Sequence, residues 1–129
     1  MFKINTMKKI AVVEDDKVTQ YLLSSLLVKE GYKVKSISNG RDILENEKIL
    51  ISDLIILDIM LPNIYDSSKL ISLYENLKIP IIVISSMDKY DGIYFTKKIN
   101  GESYFSKPFD YRDIINEVKD LLKPMNNYD

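Results

Sequence analysis

A chain of 129 residues, 46% hydrophobic and 29% charged, is one globular domain's worth and long enough to bury a core without covalent staples. Lys and Arg total 18 against 19 Asp and Glu, so the net charge of -1 argues against a surface built to coat nucleic acid or an anionic membrane. Cys and His are both 0, which excludes disulfides, thiolate nucleophiles, Ser-His triads, imidazole metal ligands and a phosphohistidine within the chain.

The start, MFKINTMKKI, holds no apolar run long enough for a secretion signal or a membrane span. A cytoplasmic protein is the expectation, with 1–7 an N-terminal extension and Met7 an alternative start. The run Ile10-Ala11-Val12-Val13 then reads as a strand. Its apolar residues are consecutive, which suits a strand covered on both faces of a parallel sheet. A helix follows over 17–30, with Val18, Leu22, Leu26 and Leu27 on its inner face and Gly31 as its stop. A weaker strand over 32–37 leads to a second helix over 41–50, with Ile43, Leu44 and Ile49 inward. Leu54-Ile55-Ile56-Leu57 is the third strand, and 67–77 the third helix, offering Leu70, Leu73, Tyr74 and Leu77. Ile81-Ile82-Val83-Ile84 is the fourth strand. The helix over 88–99 is a poorer one, because Gly92 costs helix stability. A short strand over 103–106 precedes a last helix over 110–122, capped by Asp110, with Ile114, Ile115, Val118, Leu121 and Leu122 as its buried stripe. Strand–helix repeated five times predicts an α/β fold, a parallel sheet with helices on both faces. The expected domain runs over 8–123, with 124–129 a tail or the start of a linker.

In such sheets ligands bind beyond the carboxyl ends of the strands. Glu14, Asp15 and Asp16 follow strand one, Asp58 follows strand three, Ser85 and Ser86 follow strand four, and Lys107-Pro108 follows strand five. Each has an ordinary reading: Asp16 as a helix cap, three acids as a solvated loop, the serines as caps, Lys107 as a surface lysine. Together they converge on one edge. Converging carboxylates repel one another and need a compensating cation. Oxygen ligands without His or Cys point to a hard ion, Mg²⁺ before Ca²⁺. Lys107 can then meet a phosphoryl group as a point charge and Ser85 can donate to it. The set is a cradle for one phosphoryl group on or beside Asp58.

The segments VVEDD, LIILDIMLP, PIIVISS and YFSKPF, in this order and spacing, resemble the receiver domain of bacterial response regulators, chemotaxis-regulator-like members included. The resemblance covers about residues 8–122. It implies a flavodoxin-like five-stranded sheet of order 2-1-3-4-5. It makes Asp58 the phosphoacceptor and Glu14 and Asp15 the acidic pair that holds Mg²⁺ (Mn²⁺ substituting), with Asp15 and Asp58 as ligands and Met60 giving its backbone carbonyl. Ser85 and Lys107 become the phosphoryl-binding pair, Ser85 and Tyr104 the switch pair, and Lys107-Pro108 a cis peptide. The phosphoryl group comes from a sensor histidine kinase or a His phosphotransfer protein. Ser85 then moves toward it, Tyr104 turns into the vacated space, and the face of helix four, strand five and helix five changes to bind a downstream protein or a second copy. Gly92 lowers the cost of that rearrangement. The chain itself is expected to touch neither nucleic acid nor membrane, and to catalyse only its own phosphorylation and dephosphorylation. Met60 and Met87, two residues beyond Asp58 and Ser85, are the side chains expected to tune the lifetime of the phosphorylated state.

The chain departs from the family pattern where Tyr65-Asp66 replaces the usual Asp-Gly, where Asn100-Gly101 precedes strand five, and where Ser86 stands in place of the commoner Ala. Three rivals differ in kind. An Asp-nucleophile phosphatase needs a second Asp where Met60 stands. A flavodoxin-like FMN binder needs a hydroxyl- and Gly-rich loop where Glu14-Asp15-Asp16 would repel phosphate. A pseudo-receiver would be an interaction module that has lost phosphorylation, yet no expected site residue is missing.

Overall fold

The computed structural model describes residues 7–38, 49, 51–60, 71–72 and 74–123. The extension over 1–6, the tail over 124–129, most of the second and third predicted helices, and Tyr65-Asp66 lie outside the described residues. Five strands, β1 (Lys9–Val13), β2 (Lys33–Ile37), β3 (Leu54–Asp58), β4 (Ile81–Ser85) and β5 (Ser103–Ser106), pair in parallel in the order β2-β1-β3-β4-β5. Three helices are described in full, α1 (Lys17–Lys29), α2 (Lys89–Lys98) and α3 (Tyr111–Leu121), the first, fourth and fifth of those predicted.

The unbroken apolar runs are central strands, because every residue of β3 and β4 is buried. Alternate side chains go to opposite faces. Ile10, Val12, Leu54, Ile56, Ile82 and Ile84 meet Leu23 and Leu27 of α1 and Ile114, Ile115 and Val118 of α3. Ala11, Val13, Ile55, Leu57, Ile81 and Val83 face the other way, with Ile37, Ile49, Tyr74 and Ile99. Each Val, Leu or Ile side chain among them contributes roughly 1.5–3 kcal/mol on burial. Helices thus cover both faces, α1 and α3 on one and α2 on the other.

The inner face of α1 is corrected. Leu23 and Leu27 are buried, whereas Val18 is 65% exposed and Leu22 lies on the outside. This helix is apolar nearly all round, so periodicity alone offers more than one stripe. Rotation is set instead by polar anchors at its N-terminus. The Asp16 carboxylate accepts from the Thr19 amide, and Gln20 Nε2 donates to the Glu14 carbonyl. The other end behaves as predicted, with Gly31 in the left-handed region at φ 98°. Asn100 takes that conformation too, at φ 58°, and its side-chain Nδ2 donates to the Glu75 carbonyl.

Candidate functional site

The carboxyl ends of β1, β3, β4 and β5 lie side by side, and the three consecutive acids after β1 part company there. Asp16 turns outward as the α1 cap. Asp15 is half-exposed. Glu14 is fully buried, its Oε1 accepting from the Asp16 amide at 2.9 Å. Asp58, the last residue of β3, is also buried, and its Oδ1 accepts from the Met60 amide at 2.8 Å.

Lys107 extends from the end of β5 between the two. Its ammonium stands 2.9 Å from Glu14 Oε2 and 2.9 Å from Asp58 Oδ2. Asp58 and Glu14 therefore share the one ammonium. The Lys107–Pro108 peptide is cis. Burial by itself would lower the Lys107 ammonium, but hydrogen bonds to Glu14 and Asp58 outweigh it and hold the group above its ordinary value.

Ser85 ends β4 and is buried. Its Oγ accepts from the Met87 amide at 3.0 Å, and its carbonyl accepts from the Lys107 amide at 2.8 Å. Tyr104 Oη donates to the Met87 carbonyl at 2.8 Å and lies 3.4 Å from that of Ser85. The ring is thus already turned inward, where the resemblance had it enter on phosphorylation. Met60 is 52% exposed beside Asp58, and Ser86 Oγ donates to its Sδ at 3.6 Å. Met87 is half-buried against the α2-side core.

Glu14, Asp15 and Asp58 each bring an oxygen to within 4.8 Å of the others. Glu14 Oε2 makes its ion pair without an aligned hydrogen bond. Three clustered carboxylates sharing one ammonium, one oxygen lacking a directed donor, and no nitrogen or sulfur ligand together fit a hard divalent cation. Gln20 and the Asp16 amide, which hold Glu14 in place, were missed in the sequence. Both act through backbone geometry that periodicity does not encode.

Burial is the main force on Glu14 and pushes its carboxyl from 4.5 up to about 7. Hydrogen bonds from Lys107 and the Asp16 amide pull it down, and the Asp58 charge adds to the rise. The folded chain therefore holds a proton that the unfolded chain has released between those two values. Metal-free protein is expected to lose stability as pH rises from about 4.5 to about 7 and to level off above, by roughly 3 kcal/mol at most from this group. Urea midpoints against pH in the presence of a chelator measure it. Glu14→Gln should flatten that slope, and an unchanged slope would place its source elsewhere.

The sequence model of the response regulator receiver domain family matches residues 10–119. The transcriptional regulatory protein PcoR of Escherichia coli is 33% identical over 119 residues, covering 91% of this chain and 52% of PcoR. The chain spans about half the length of the curated relatives it matches. Response regulator DrrB of Thermotoga maritima superposes with a TM-score of 0.78 at 26% identity, covering 92% of this chain and 54% of DrrB. A two-component response regulator from Clostridium difficile superposes at 0.81 with 24% identity, covering 94% of this chain and 100% of the other, a likeness of fold.

Proposed function

The chain belongs to the response regulator receiver family, and on that premise we propose that it is a phosphorylation-dependent signalling switch with Asp58 as phosphoacceptor. The observation that carries this is the buried Asp58 carboxylate, 2.9 Å from the Lys107 ammonium and grouped with Glu14 and Asp15. The donor is a phosphohistidine on a partner kinase or phosphotransfer protein, since this chain has no His. An Asp58 oxygen attacks phosphorus in line. The P–N bond breaks, its electron pair returns to the imidazole, and an acyl phosphate forms on Asp58. Lys107 stabilises the equatorial oxygens, and Ser85 donates to one of them. Glu14, Asp15, Asp58 and the Met60 carbonyl are the groups to hold Mg²⁺ or Mn²⁺, which when bound neutralises charge on the phosphoryl oxygens.

The output is a change in the α2–β5–α3 face that favours a protein target or a second copy. Ser85 and Tyr104 carry it, because both reach the loop between β4 and α2. No helix among the described residues is long and apolar enough to cross a membrane, which agrees with a cytoplasmic switch. Curated relatives about twice this length, PcoR and TorR among them, are transcriptional regulators. By that analogy the phosphorylated receiver serves gene control through a separate output module, without touching nucleic acid itself.

Acetyl phosphate with Mg²⁺ should add one phosphoryl group by intact mass. Protein that stays unlabelled under conditions that label other receivers would point to an interaction module instead. The lifetime of the label is assigned to Met60 and Met87. Neither thioether holds water well, and Met60 stands at the mouth of the site under a hydrogen bond from Ser86. Met60→Asn and Met60→Glu should each shorten the phosphoprotein half-life after donor removal while labelling of Asp58 continues. Half-lives unchanged or longer in both would remove the apolar shield from the account.

A further inference from the structure

Gly92 lies inside α2, buried, and its backbone is not in the left-handed region, where among the described glycines only Gly31 sits. Nothing in its own conformation calls for glycine, and glycine in a helix interior costs stability relative to alanine. The reason is space. A Cβ placed on Gly92 would overlap the face of the Tyr104 ring, with Cζ, Cε1 and Cε2 as its three nearest atoms. Within α2 the Gly92 carbonyl also accepts from Thr96 Oγ1 at 2.7 Å. From this seat the ring packs with Met87 and Phe95 against the core, and its hydroxyl reaches the Met87 carbonyl. The Met87 amide in turn donates to Ser85 Oγ.

We propose that Gly92 is the positioning residue for Tyr104, holding the ring inward and, through it, tying the Ser85–Met87 loop to α2 and β5. Size at position 92 then decides whether phosphorylation at Asp58 is felt on the α2–β5–α3 face. The coupling rests on the receiver reading above; the seating of the ring does not.

A double-mutant cycle tests it. Gly92→Ala should expel the ring, moving the Tyr104 signal of fluorotyrosine-labelled protein to a solvent-exposed position, with Tyr104→Phe identifying that signal by its loss. In Tyr104→Ala protein the same Gly92→Ala change should raise the melting temperature, because the obstacle is gone and only the helix gain remains. Acetyl phosphate should still label Asp58 in Gly92→Ala, while the change it causes in amide exchange over 87–104 is lost. If Gly92→Ala does not fold, the proposal stands or falls on the Tyr104→Ala background: a higher melting temperature there supports it, and an equal or lower one overturns it. A folded Gly92→Ala whose Tyr104 signal stays buried overturns the seat. A ring that is expelled while the exchange response persists overturns the coupling. Wild type that resists labelling would defeat the receiver reading, and with it the coupling, but leave the ring result to be read on its own.

Discussion

Asp58→Asn is expected to leave no added phosphoryl group after treatment with acetyl phosphate and Mg²⁺, a loss of at least about a hundredfold in labelling rate. The wild-type carboxylate uses one oxygen to accept from the Met60 amide and the other to meet Lys107. Asn keeps the shape but offers a single acceptor oxygen, far weaker as a nucleophile. Turned to Met60, its amide nitrogen faces the ammonium; turned to Lys107, it leaves the Met60 amide unmet. Either way Lys107 shifts its hold to Glu14. The fold should survive, because β3 is fixed by Leu54 to Leu57, whose side chains fill the cores on both faces of the sheet. Intact mass with peptide mapping decides the matter. A label that persists in the folded variant would move the acceptor to another residue, with Glu14 and Asp15 the first to be examined.

The central strands were legible because burial on both faces leaves a run of consecutive apolar residues that little else in a short chain produces. Convergence of Asp58, Ser85 and Lys107 followed from topology, since parallel strands deliver their ends to one edge. What sequence could not supply was orientation within a turn or a helix. Glu14, Asp15 and Asp16 read alike as text, yet one is buried, one half-exposed and one a cap, a division made by the backbone leaving β1. The partial error on α1 has the same origin: Leu26 and Leu27 of the expected stripe meet the core, but Val18 and Leu22 are as apolar as the buried Leu23, and the side-chain anchors at Asp16 and Gln20 are not written in the periodicity. Gly92 shows a further limit. Propensity marked it as a weak point in a helix, whereas its neighbour in space is Tyr104, twelve positions away in the chain.

Lys107→Met tests the electrostatics of the site most severely. Methionine retains most of the lysine stem, so packing along it changes little. What goes is the ammonium that stands 2.9 Å from both Glu14 and Asp58, carboxylates that are 0% and 3% exposed. Removing one partner from a buried ion pair leaves an uncompensated charge and typically costs about 3–5 kcal/mol. Lys107 is itself 24% exposed, so the lower end, about 3 kcal/mol, is expected in metal-free protein near neutral pH. The deficit should shrink as pH falls toward about 7 and level off below, because without Lys107, which lowers the Glu14 carboxyl, Glu14 takes up its proton at a higher pH than in wild type and sheds its charge. Mg²⁺ should shrink it as well, since a cation among the carboxylates replaces part of the lost charge. At a hundredfold excess over its dissociation constant, that ion stabilises by about 2.7 kcal/mol. Labelling by acetyl phosphate should fall by about a hundredfold even with Mg²⁺ restored, because the charge that meets the equatorial oxygens is still missing. Urea midpoints of wild type and variant, with chelator and with Mg²⁺, separate the two contributions. A deficit that ignores both pH and Mg²⁺ would mean that Lys107 acts by packing, and the cluster of Glu14, Asp15 and Asp58 would then need another source of compensation.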